Sequence, residues 1–266
     1  MLLFFVDGKV RGVTRLHDVV HIVCQRSPAI IRFDAKTHER LADITVKGLS
    51  YPYDIAACQQ TDQLYVTDRP ITDADCVWRV SSNGEDVNRL LTNSPLDTFR
   101  PYTLSVTSSR LLVTSLDTRQ LRQFDAVGDE LRRVDLPDNM IPRHAVESPS
   151  GSFIVSCGKT RLKRGKVSEV NTKGQVLRQF SGSRLLPLGG TPYVAVDSEG
   201  NIFVAGRDNG VILLLDSRLT LRRVIIEEHQ LNYNWPRHLC YVEKSGQLLA
   251  GTWFDRDVAV FDVLRR

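Results

Sequence analysis

The sequence predicts an all-β protein, a six-bladed propeller with four strands per blade. Three observations carry this reading. A phrase recurs about every 45 residues, each period holds up to four short β-rich runs, and the two chain ends complement each other.

The phrase opens with a proline, or Val10 in its place, followed by two variable positions and an apolar run. Its copies begin at Val10, Pro52, Pro101, Pro142, Pro192 and Pro236, in steps of 41 to 50 residues. That spacing is the length of a propeller blade. A turn follows each phrase, often with glycine, as in Ser150-Gly151, Glu199-Gly200 and Ser245-Gly246. A second run comes next, at 63–67, 152–155, 201–204 and 247–250. A polar loop leads to a third, at 29–33, 77–80, 121–124, 211–215 and 258–261. The fourth is seen at 131–136 and 221–226. Short apolar runs bounded by turn residues are strands, and no long stretch has helical periodicity.

The ends settle the closure. The 31 residues from Pro236 to Arg266 hold three strands, and the nine before Val10 hold one orphan strand at 2–6. The N-terminal strand is therefore predicted to complete the last blade, closing the ring and covering an open edge. Residues 1–266 read as a single domain with no linker.

Composition is that of a globular chain, 42% hydrophobic and 25% charged, which excludes fibrous and disordered classes. With 35 Lys and Arg against 31 Asp and Glu, the net charge of +4 permits an anionic partner without demanding one. No run approaches the ~18 apolar residues of a membrane helix, and the apolar start at 1–6 is too short for a signal peptide. Neither a membrane nor DNA is an expected partner. The five cysteines, Cys24, Cys58, Cys76, Cys157 and Cys240, have no paired metal spacing and read as buried small hydrophobes in a reducing compartment. A cytoplasmic location is the expectation.

The phrase is nearly complete in Pro192-Tyr193-Val194-Ala195-Val196-Asp197-Ser198-Glu199-Gly200-Asn201-Ile202-Phe203-Val204-Ala205, continued by Asp208-Asn209 and 211–216. It resembles the NHL repeat, and the chain is similar to the C-terminal NHL propeller of animal tripartite-motif (TRIM-NHL) proteins. The match is fullest in the fifth unit, weaker in the fourth and sixth, and degenerate in the first three. The resemblance implies a non-catalytic binding module whose top face takes single-stranded RNA. The alternative it implies is a protein or peptide partner, with the propeller as substrate-recognition module of a ubiquitin-ligase-type protein. The RING, B-box and coiled coil that carry ligase activity in that family are not in this sequence, so that activity is not implied. Similar propellers also serve lyases and lactonases.

The resemblance further implies that the innermost strand starts at the top face, beside the loop joining the second and third strands. The residue after each phrase-opening position is then Arg11, Tyr53, Tyr102, Arg143, Tyr193 or Arg237, so six equivalent positions hold only arginine and tyrosine. Arginine forks phosphates and carboxylates, and tyrosine offers a flat face, a combination suited to single-stranded RNA or to packing over a channel mouth. The loop 159–166 adds Lys159, Arg161, Lys163, Arg164 and Lys166 with no acid, while the second blade's loop carries Asp68, Asp73 and Asp75 and the sixth's carries Trp253, Asp255, Arg256 and Asp257. The top face is thus expected to be basic near blade four and more acidic near blade two. The outer-strand arginines Arg132, Arg133, Arg178, Arg222 and Arg223 read as edge charges that deter sheet pairing.

One further position reads Asp54, His144 and His238 in blades two, four and six. Two imidazoles and a carboxylate could hold a divalent metal for a lyase or hydrolase, or simply hydrogen-bond the turns before the inner strands. No nucleophile motif accompanies them, so no catalytic residue, cofactor or metal is assigned. His21, in mid-strand, reads as a hydrogen-bonded buried or edge residue.

Overall fold

The computed structural model describes residues 2–92, 97–158, 165–183, 188–190, 192–206, 210–227, 230, 235–252 and 256–263. Among them are 24 strands in six antiparallel sheets of four, and no α-helix. Strand β1 (Leu2–Phe5) precedes the first blade, which runs β2 (Val10–Leu16), β3 (Val19–Cys24), β4 (Ala29–Asp34) and β5 (Arg40–Thr45). The second is β6 (Pro52–Cys58), β7 (Gln63–Asp68), β8 (Cys76–Ser81) and β9 (Val87–Thr92). The third is β10 (Leu104–Thr107), β11 (Arg110–Ser115), β12 (Gln120–Phe124) and β13 (Glu130–Asp135). The fourth is β14 (Pro142–Glu147), β15 (Phe153–Cys157), β16 (Lys166–Val170) and β17 (Val176–Phe180). The fifth is β18 (Tyr193–Val196), β19 (Ile202–Gly206), β20 (Val211–Leu215) and β21 (Leu221–Ile226), and the last is β22 (Pro236–Val242), β23 (Gln247–Thr252) and β24 (Asp257–Asp262).

The first strand of each blade is innermost. Around the axis β2 packs against β6 and β22, β10 against β6 and β14, and β18 against β14 and β22, which closes a ring of six. Second strands such as β7, β11 and β15 are buried along nearly their whole length, while outer strands such as β13 are mostly exposed. Apolar residues on both faces of the middle strands fill the spaces between blades. Leu16, Val23 and Ile30 of the first blade, for example, share a core with Ile55, Leu64 and Val66 of the second.

The expected closure is present. β1 lies at the edge of the last blade, paired with β24 in the register Leu3↔Ala259 and Phe4↔Val258. Phe4 is 3% exposed and its ring sits 4.9 Å from that of Phe33, so the closing strand also packs on the first blade. Phe5 points the other way and is 67% exposed.

Candidate functional site

Four inner strands begin with the same irregularity. The pairing with the second strand shifts register between Val10 and Gly12, Pro52 and Asp54, Pro142 and His144, and Pro236 and His238. The skipped residues are Arg11, Tyr53, Arg143 and Arg237. Each is therefore the extra residue of a β-bulge, a device that re-aims side chains at strand ends. Three of these four strands open on a proline, whose missing N–H is tolerated at the first residue of a strand. In blade three the strand starts only at Leu104, with Tyr102 just ahead of it. In blade five Tyr193 pairs regularly with Ala205.

Two layers result. The upper one is the mouth. The Tyr53 and Tyr102 rings are 4.5 Å apart with their hydroxyls hydrogen-bonded, and Arg237 Nη2 donates to the Tyr53 hydroxyl. Three guanidinium groups surround the Tyr53 ring, Arg11 at 5.1 Å, Arg237 at 5.3 Å and Arg69 at 5.8 Å. Arg69 also covers Tyr102, and Arg143 Nε donates to the Gly158 carbonyl. Burial, and next the neighbouring Arg237 charge, hold the Arg11 guanidinium below its ordinary value. Burial pushes the Tyr53 phenol up. Burial acts the same way on Tyr102, but Arg237, the Tyr53 hydrogen bond and Arg143 outweigh it and leave that phenol below its ordinary value.

The lower layer is the channel floor. The Tyr193 hydroxyl donates to both carboxylate oxygens of Asp54, at 2.9 Å each. Asp54 also accepts from the backbone N–H of Ile55 and of Leu104, each at 3.0 Å, and lies 3.4 Å from His238 Nδ1. His144 stacks on Tyr193 with ring centroids 3.7 Å apart. Burial pushes the Asp54 carboxyl up to about 6 and the His144 imidazole down to about 4. Burial, then the Asp54 charge, raises the Tyr193 phenol well above its ordinary value.

The predicted six-membered Arg/Tyr ring is thus five residues in or near the mouth, with Tyr193 turned into the floor instead. Its regular pairing, without a bulge, is the reason. Asp54 and His238 come within 3.4 Å of each other, and His144 stacks on the Tyr193 ring beside them. Tyr193, unrecognised as their partner from sequence, takes both carboxylate oxygens, and among the described residues no group of three or more His, Cys, Asp or Glu is arranged for a metal. Gly12 holds the equivalent place in blade one because a Cβ there would meet Ile55 N at 2.7 Å.

Lys159, Arg161, Lys163 and Arg164 lie outside the described residues, as do Asp208, Asn209, Trp253 and Asp255. The acidic character expected near blade two is largely spent inside the fold. The Asp68 carboxylate accepts from Ser50 N, Tyr51 N and Trp78 Nε1, and buried Asp75 pairs with Arg69 and Arg100. Asp73 pairs with Arg89. His21 is buried in mid-strand, and burial pushes its imidazole down to about 3. All five cysteines are unbridged.

No protein-family model matches the chain, and no curated protein matches it. Solved structures do. The WD40 β-propeller domain of Doa1 superposes with a TM-score of 0.66 at 13% identity, covering 97% of this chain and 94% of that one. Virginiamycin B lyase from Staphylococcus aureus, in its catalytically inactive H270A form with quinupristin, gives 0.66 at 14% identity, covering 96% and 80%. A chain of the nidogen/laminin complex gives 0.65 at 15% identity, covering 88% and 85%. At such identities the likeness is one of fold, and that fold carries both enzymes and binding domains.

Proposed function

We propose that the chain is a non-catalytic binding module whose Arg/Tyr mouth grips an acidic segment of a partner protein. The observation that carries this is the crowding of Arg11, Arg69 and Arg237 around one tyrosine ring. Arg11 and Arg237 repel each other at close range, and a carboxylate set between them would relieve that repulsion. The tyrosine faces are already covered by guanidinium groups, so they offer little platform for stacked bases. That favours a carboxylate-bearing peptide over the single-stranded RNA that the NHL resemblance implies. Unbridged cysteines are consistent with a cytoplasmic setting for this binding.

RNA is retained as a second reading on one observation, the five basic residues in the loop 159–166. Fluorescence anisotropy of labelled hexaglutamate and labelled oligouridine against the full chain separates the two. The acidic-segment reading expects the peptide to bind more tightly and Arg11→Gln to weaken it. Tighter RNA binding, with its salt slope reduced by about 0.7 for each of Lys159, Arg161, Lys163 and Arg164 changed to Ser, would install RNA instead.

A further inference from the structure

The tyrosine pair of the mouth holds one proton more than its hydrogen bonds can place. The Tyr53 and Tyr102 hydroxyls face each other, and a single hydrogen fills the line between them. Their other partners are guanidinium groups, Arg237 on the Tyr53 oxygen and Arg143 on the Tyr102 oxygen. A guanidinium group donates and never accepts. Whichever ring carries it, the second phenolic hydrogen has no acceptor among the described residues.

The charges that face the pair are positive. Arg11 comes from β2, Arg69 from the segment after β7, Arg143 from β14 and Arg237 from β22. Tyr51 lies beyond Arg11, beneath Arg26. The carboxylates nearby are engaged elsewhere. Asp54 in the floor is capped by Tyr193, Asp68 by Ser50, Tyr51 and Trp78, and Asp75 by Arg69 and Arg100. His144 and His238 flank Tyr193 in the floor, and burial disfavours the charged form of His144.

We propose that the Tyr53–Tyr102 pair is an alkaline switch, which gives up its surplus proton before any other tyrosine of the chain, becomes the mouth's own anion between Arg237 and Arg143, and so loosens the grip on an acidic segment. The ionised pair has every hydrogen bond made, whereas the neutral pair leaves one unmade, and hydrogen bonds to the charged form favour it. Burial alone would raise the Tyr102 phenol, yet Arg237, Tyr53 and Arg143 leave it lowered, while Tyr53 is raised. That is the pattern of a shared site whose first proton leaves early and whose second leaves late. Once the pair carries a negative charge, the guanidinium groups attract a guest carboxylate less. The switch rests on the acidic-segment reading of the mouth.

The test uses the full chain and two readouts. Tyrosinate absorbance, followed from about pH 7 to about pH 10, should show one of the seven tyrosines ionising ahead of the rest. Tyr102→Phe should remove that first step, and Arg237→Gln should move it to higher pH. Hexaglutamate affinity should fall by up to about tenfold per pH unit across the step, and less steeply in Tyr102→Phe. If Tyr102→Phe does not fold, the displacement of the step in Arg237→Gln decides. Tyrosines that all ionise together, a first step that survives Tyr102→Phe, or peptide affinity that is level across the step overturns the switch and leaves the grip standing. A first step with no peptide binding at pH 7 overturns the reading of the mouth, and the coupling with it.

Discussion

The Tyr193 hydroxyl bridges both carboxylate oxygens of Asp54 at 2.9 Å, joining blade five to blade two across the channel. The bond caps the one fully buried carboxylate of the floor and separates the mouth from the rest of the channel. Tyr193→Phe leaves that carboxylate short of a donor in a dry site. The loss expected is about 1.5–3 kcal/mol in urea unfolding, the range for hydrogen bonds to charged groups. A loss under about 0.5 kcal/mol would show that the bond contributes nothing net.

The floor also sets the pH dependence. Asp54 titrates near 6 in the folded chain against an ordinary 3.8, so the folded state holds its proton more tightly. Stability from this group is full below about pH 4 and is lost as pH rises through 6. His144 acts oppositely: its value falls from 6.5 to about 4, so its contribution is full above 6.5 and is lost as pH falls through 4. Between these limits the two slopes oppose each other. Asp54→Asn should therefore make stability drop more steeply on acidification from pH 6 to 4 than in the parent chain. An unchanged slope would mean that Asp54 titrates normally.

Ring closure is testable at Phe4. Phe4→Ala should cost about 3–5 kcal/mol, the cost of truncating a buried phenylalanine, and should lower the single melting transition of the whole ring. Phe5→Ser, at a 67% exposed position, should stay within about 0.5 kcal/mol. Equal melting temperatures for the two variants would contradict closure by β1.

Gly12→Ala probes the approach of blades one and two. Its Cβ would lie 2.7 Å from the backbone nitrogen of Ile55, so a strand must shift, at a cost of about 1–3 kcal/mol. Calorimetry showing no loss would mean that the two inner strands separate freely.

The blade count, the strand runs and the closing strand could be read from the sequence because a repeat prints its period directly in residues. Strand limits moved by a residue or two, as for the run at 131–136, which is β13 (Glu130–Asp135). Side-chain direction could not be read in the same way. Arg143 and Tyr193 occupy the same place in the repeat, but a bulge lifts the first into the mouth and its absence turns the second into the floor. The period is blind to that one-residue slip. Asp68 and Asp75 looked like surface acids because their partners Ser50, Tyr51 and Arg100 lie 17 or more residues away.

The central claim is that Arg11 and Arg237 form an anion grip at the mouth. Isothermal titration of hexaglutamate into the full chain and into Arg237→Gln tests it most directly. The account predicts saturable binding to the parent chain that weakens with salt, and affinity about tenfold lower in the variant, as for a lost charge-assisted contact. Equal affinity for the two proteins, or no binding to either, would contradict it.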